Sequence, residues 1–250
     1  LSLTPGERRW LAEKGQLKIG CLRGCMPFSD YDSATGRTDG LAGSLLSVLQ
    51  KQFGANVKVI PFSDSAAMRK SLLSHELDAV FPAFGDLWHS DSNGLIQTIS
   101  MASDGMTAVY RETYPDAANP SVAVSRSGAV EQAYVSLKYP RSRVQLCDSF
   151  ADTLTAVRKG QADLAVGTYH SILRELNGSL NNSILGAASL NDSVSICFAL
   201  NKGDTSLCGI LNKVRSHMSN SEVAEIIANG TRVTPVYTLA DFVAHHALAL

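Results

Sequence analysis

The chain has 250 residues, 45% of them apolar and 18% charged, with a formal net charge of -1. That length accommodates one large or two modest domains around a sizeable core, and the near-neutral balance without a basic run argues against nucleic acid and against electrostatic docking on membranes. No stretch reaches the roughly 20 apolar residues that a spanning helix needs, the start lacks a basic-then-apolar signal layout, and Leu1, with helix-start residues close behind it, reads as the beginning of an excised segment.

The pattern Thr4-x-x-Glu7 ahead of Trp10 and Leu11 is a capping box opening a short helix that stops near Gly15. The alternation of Leu17, Ile19 and Cys21 predicts a strand. Gly24 and Pro27 break it, because proline cannot donate to a ladder and glycine tolerates unusual backbone angles. The loop so formed carries Arg23 and Phe28 at its mouth. In open α/β sheets ligands bind outside the carboxyl ends of the strands, which makes this pair the first candidates for ligand contact. Leu41, Leu45, Leu46, Leu49 and Phe53 then form one helical face closing on Gly54, followed by a strand over 57–60. Strand, loop, helix and strand in this order build parallel sheets.

A weak internal repeat follows. Asp64-Ser65, a helix through Met68, Leu72 and Leu73, and then Asp78 with a buried strand are echoed by Asp148-Ser149, a helix through Leu154 and Val157, and Asp163 with a second buried strand. Two copies imply two similar lobes. Between them, 105–110 is strand-like and leads away from the first lobe. Ser121-Val122-Ala123-Val124 begins another strand, and the Ser125 to Ala129 loop enters a helix with Val130, Ala133, Tyr134 and Leu137, presenting backbone N–H groups suited to an anion. After the second copy come a strand over 193–200 and two helices, the second opened by the Ser219-x-x-Glu222 capping box. A late strand that rejoins the first lobe gives two crossings, and two crossings make a hinge. The tail from Thr238 to Leu250 reads as a helix with a solvated His245-His246 pair.

Of the five cysteines, no two show CxxC spacing, and neither they nor the histidines form a metal-ligand pattern. Cys21 and Cys147 read as small hydrophobes. Cys197 and Cys208 flank the turn containing Gly203, where a strand-to-helix disulfide is an open alternative in an oxidising compartment.

With the Pro27-Phe28 loop, the Asp78 strand, the Val122 strand with its Ser127-Gly128 turn and the Asp163 strand in order, the sequence resembles the bacterial extracellular solute-binding proteins of family 3. The resemblance implies an α/β Venus flytrap, each lobe a mostly parallel sheet flanked by helices, with two hinge crossings. The divisions expected are a lead-in over 1–16, a first lobe over 17–106, a second over 107–192, a return to the first over 193–232 and a tail over 233–250. It also implies a small ligand between the lobes, touched by Phe28, by Ala83, Phe84 and Gly85, by Arg126 and Ser127, and by Thr168 and Tyr169. Two expected features are absent. The arginine that clamps a carboxylate bidentately is replaced by the run Trp88-His89-Ser90-Asp91, and the aspartate that takes an ammonium is replaced by Thr168-Tyr169-His170. Arg23 or Arg126 would then replace the clamp, and Asp86 or Asp104 the ammonium partner. Phe28, Phe84, Trp88 and Tyr169 would give an aromatic lining, and His89 and His170 would sit on cleft loops.

The opening segment is similar to the one that precedes such domains in membrane-bound histidine kinases and diguanylate cyclases. The expected function is therefore an extracytoplasmic sensor domain, attached to transmembrane signalling machinery, that binds an amino-acid-like molecule or small organic acid without a cofactor. The alternatives are the binding component of an ABC transporter, and a dehydratase of prephenate-like acids in which His170 and Asp86 are the candidate general acids.

Overall fold

The computed structural model describes residues 2–179 and 183–234, so the expected tail helix and its histidines lie outside the described residues. The first lobe begins with α1 (Pro5–Lys14), β1 (Gln16–Leu22), the small hairpin β2 (Asp30–Asp32) and β3 (Arg37–Asp39), and α2 (Gly40–Phe53). It continues through β4 (Asn56–Phe62), α3 (Ser65–Leu73), β5 (Ala79–Phe84), α4 (Leu87–Ser92) and β6 (Leu95–Gln97). The long strand β7 (Ala102–Arg111) leads into the second lobe, made of β8 (Val122–Ser125), α5 (Ala129–Lys138), β9 (Val144–Cys147), α6 (Phe150–Arg158), β10 (Leu164–Thr168) and α7 (Tyr169–Gly178). Strand β11 (Leu185–Asn201) brings the chain back to α8 (Thr205–Ser216) and α9 (Asn220–Thr231).

Both lobes share one sheet, in the order β4-β1-β5-β11-β7-β10-β8-β9 with β6 on β11. Strands β4, β1 and β5 are parallel at one end, β10, β8 and β9 are parallel at the other, and the antiparallel pair β7 and β11 joins them. The late strand is therefore longer than its apolar run suggests. It starts at Leu185, in the second lobe, because Leu185 to Ser189 pair with Arg111 to Thr107 before a register shift, and Ser193 to Ile196 pair with Gly105 to Ala102 after it. Asn191, in the shift, takes a positive φ of 58°, a conformation asparagine tolerates better than most side chains. Its neighbour Asp192 reaches back to the second lobe, accepting from Tyr134 Oη at 2.6 Å and pairing with Lys138 Nζ at 2.9 Å.

The internal repeat has a physical basis. Asp78 Oδ2 accepts from Lys18 N–H at 2.7 Å, and Asp78 N–H donates back to Lys18 O at 2.8 Å. Asp163 does the same at the start of β8, accepting from Ser121 N–H and Oγ–H at 2.7 Å while its own N–H donates to Ser121 O. Each aspartate thus pins the first strand of its lobe beside the strand it introduces. The core lies between the sheet and its helices. Leu17, Ile19, Phe81 and Phe198 are fully buried in it, and the two phenylalanine rings stand 4.8 Å apart. Helix α9 packs on α2 of the first lobe and also meets α7 of the second.

The Cys197–Cys208 bridge, left open by the sequence, is not formed: all five cysteines are free. Cys208 Sγ faces the carbonyl of Gln97 at 3.4 Å, while Cys197 is buried in the sheet with its sulfur against Gly85. Among the described residues no helix is long and apolar enough to cross a membrane, and no cluster of side chains could hold a metal ion.

Candidate ligand-binding site

Gly24, at φ 66°, turns the chain after β1 into a compact loop closed by Cys25 N–H to Ser29 O at 2.9 Å. This loop meets the second lobe directly. Cys25 Sγ–H donates to Ser127 O at 3.2 Å, and Thr168 Oγ1 donates to Ser171 Oγ, which donates on to Met26 O at 3.1 Å. Ser65 N–H, at the start of α3, donates to Arg126 O at 2.9 Å, and Arg174 of α7 donates to Gly230 O at the end of α9. The lobes are closed on one another through polar contacts.

Between them remains a cavity of about 20 Å³, walled by Phe28, Pro82, Ser127, Thr168, Glu131 and Glu175 among others. That is room for about one water molecule. Its chemistry is acidic. Glu131 is 7% exposed, and burial pushes its carboxyl above the ordinary range, against the opposing pull of hydrogen bonds from its own N–H and that of Thr168. Burial also raises Glu175, partly offset by the neighbouring Arg174. Burial pushes the Cys25 thiol up as well, reinforced by the Glu131 carboxylate. None of the residues facing this cavity is a lysine or arginine.

The residues singled out in the sequence divide accordingly. Phe28, Ser127 and Thr168 do line the cavity, with Phe28 as a 3% exposed wall rather than an open aromatic platform. Arg23 is exposed on the outer side of its loop and does not line the cavity, and Arg126 is exposed and paired through Nε with Asp148 Oδ1 at 3.1 Å, so neither is placed as a carboxylate clamp. Asp86 caps α4, accepting from His89 N–H at 2.6 Å. Asp104, on β7, accepts from His170 N–H at 3.0 Å and lies 2.9 Å from His170 Nδ1, tying the start of α7 to the hinge strand. Trp88 and Tyr169 are 73% and 48% exposed, and the Tyr169 ring rests edge-on to His170. Phe84 is half-buried, its ring edge-on to His89 at 5.5 Å. Gly85 lies under β11, where an added Cβ would stand 2.6 Å from Ser195 Cβ, so it serves close packing. The sequence reading missed Glu131 and Glu175. Glu131 looks like an ordinary acid in the first turn of a helix, and only the fold sets it against Thr168.

No family model matches the chain. It is 27% identical over 236 residues to the virulence sensor protein BvgS of Bordetella pertussis, an alignment covering 89% of the chain and 18% of BvgS, so the chain spans less than a fifth of that relative. The periplasmic VFT2 domain of B. pertussis BvgS superposes with a TM-score of 0.73 at 26% identity, covering 92% of this chain and 99% of that domain. An ancestral amino acid-binding protein, described as a precursor of cyclohexadienyl dehydratase, superposes with a TM-score of 0.69 at 17% identity, over 90% of this chain and 99% of that one. Its low identity speaks to fold alone. The strand order, the paired hinge strands and the alignment with BvgS give this chain a Venus-flytrap fold and make it homologous to the periplasmic VFT domain of that sensor.

Proposed function

We propose that the chain is the extracytoplasmic sensor domain of a transmembrane signalling protein, and that a small molecule bound between its lobes sets the balance between closed and open forms. The observation that carries this reading is the inter-lobe interface itself, where Glu131 is buried in a cavity that no lysine or arginine lines, between lobes held by hydrogen bonds and by the packing of α5 on β5. A ligand larger than water enters the 20 Å³ cavity only by parting the lobes, and its differential affinity for the two forms is all that shifts their populations. The carboxylates of Glu131 and Glu175 with the hydroxyls of Ser127 and Thr168 suit the ammonium end of an amino-acid-like ligand better than a carboxylate. The similarity to BvgS favours a receptor over a transporter component. For the dehydratase alternative, Asp86 and His170 are engaged at a helix cap and at the hinge, away from the cavity walls.

The test is a thermal-shift screen of amino acids, amines, polyamines and organic acids, followed by solution scattering. A true ligand at a hundredfold excess over its dissociation constant stabilises the domain by about 2.7 kcal/mol and changes the radius of gyration. Silence across the library, or stabilisation with an unchanged scattering profile, would overturn the reading. Turnover of prephenate or arogenate would reinstate the enzyme.

A further inference from the structure

The two outer edges of the sheet are built differently. At one end β4 carries Lys58 and Pro61, and an edge charge and a proline are two of the devices by which natural sheets keep their edges from pairing. At the other end β9 reads Val144-Gln145-Leu146-Cys147 and has neither. Val144 and Leu146 are 45% and 44% exposed. Their ladder neighbours Val122 and Val124 of β8 are fully buried, in the same core cluster as Tyr134 and Val135 of α5. The α5 face of the sheet therefore continues as apolar surface beyond its helix, out to an unguarded edge. Leu137, one turn past Tyr134 on α5, is exposed as well.

The ladder also fixes which backbone groups this edge offers. Val122 N–H donates to Arg143 O and Arg126 N–H to Cys147 O, each at 2.9 Å, so residues 143, 145 and 147 turn their backbone groups inward to β8. By the alternation of a strand, the N–H and C=O of Val144 and Leu146 point outward, and no further strand among the described residues receives them. The strand is also polar along its length. It is entered through the exposed Arg141 and Arg143 and left through the exposed Asp148.

We propose that β9 is a self-association edge, occupied by β9 of a second copy of this chain in antiparallel pairing about a two-fold axis at Gln145. The antiparallel direction sets the basic start of each strand beside the acidic end of the other, whereas parallel pairing aligns like charges. The register that uses every outward group has Val144 exchange both hydrogen bonds with the partner's Leu146, and Leu146 with the partner's Val144, which leaves Gln145 opposite the partner's Gln145. The same register lays valine against leucine on one face as apolar cross-strand pairs. Four residues a side make a small contact, below the roughly 1,200 Å² of a stable interface, so the association is weak and reversible. It joins the second lobes of two chains into one continuous sheet, whatever the inter-lobe cavity binds.

The test is sedimentation velocity of the purified chain from about 1 μM to about 1 mM, with a thermal melt of each variant to establish that it folds. The wild type is expected to pass from monomer towards dimer across that range. Leu146→Lys, at an exposed position, and Val144→Pro, which removes only an outward N–H, should fold and stay monomeric. In the proposed pair the two Gln145 Cα atoms stand roughly 4.5 Å apart, within disulfide reach. Gln145→Cys should therefore give a disulfide-linked dimer under mild oxidation, above the background set by the native thiols of the wild type. Val144→Cys, which meets its own copy only diagonally at roughly 7–8 Å, should not. A wild type still monomeric at about 1 mM, a dimer undiminished by Leu146→Lys, or crosslinking of Val144→Cys equal to that of Gln145→Cys would each overturn the assignment.

Discussion

Replacing Glu131 by glutamine tests whether the inner cavity holds a carboxylate at a cost. Burial raises the folded-state pKa of Glu131 above its ordinary 4.5, so between those two values the native chain binds a proton that the unfolded chain has released. Stability is therefore complete below about pH 4.5, falls as pH rises through the folded pKa, and is level beyond it. The largest possible slope for one group is about 1.4 kcal/mol per pH unit, which for a domain of this size is roughly 3–6 °C in melting temperature per unit. Glutamine keeps the shape and the acceptor oxygen and has no proton to lose. The melting temperature of Glu131→Gln minus that of the wild type should widen as pH rises above about 4.5 and level off once pH passes the folded pKa, the upper break marking that pKa. Calorimetric or fluorescence melts across that range measure it. A difference between the two proteins that does not change with pH would refute the account, because it would mean that Glu131 titrates as it does in the unfolded chain.

At Gly167 an added Cβ would lie 2.4 Å from Phe150 Cζ and 3.0 Å from Ile172 Cδ1, so Gly167→Ala should lower stability in denaturant titrations by about 1–3 kcal/mol. Asp163→Ala removes the acceptor for two hydrogen bonds from Ser121 and, at an exposed site, should cost about 1 kcal/mol. Those same bonds hold the Asp163 carboxyl below its usual range, so its contribution is present above about pH 4 and disappears as acid protonates it. The variant and the wild type should converge in acid, and a gap constant to low pH would contradict the pinning role. Burial raises Cys21 to about 12 and Cys197 to about 11, so thiol reagents should label both slowly in the native protein. After denaturation without reductant all five cysteines should react, and a count short by a pair would restore the Cys197–Cys208 bridge.

The framework was readable because its signals are local. Capping boxes at Thr4 and Ser219, the helical stripe from Leu41 to Phe53 and the apolar alternation of β1 each declare their element within a few residues, and all four elements formed where expected. Asp78 and Asp163 announced the repeat because each pins a neighbouring strand by the same hydrogen bonds. The extent of β11 was hidden. From Gly186 to Ser193 it is mostly small and polar residues without a strand alternation, and what makes this stretch a strand is the partner β7 rather than its own composition. The inner cavity was harder still, because arginine and exposed aromatics attract attention in a sequence whereas a first-turn glutamate does not. Burial of Glu131 comes from packing across the lobes, which no spacing rule encodes.

Helix α9 touches both lobes, resting on α2 of the first while Arg174 of the second holds the carbonyl of Gly230 near its end. It behaves as a strut loaded from two sides. A rotation of one lobe against the other must either drag this helix along its bed on α2 or release it from Arg174, so an angular change at the hinge becomes an axial displacement or a detachment. The last described helix is thus the element on which any rotation of the second lobe would act, where it packs on α7 and where Arg174 holds Gly230.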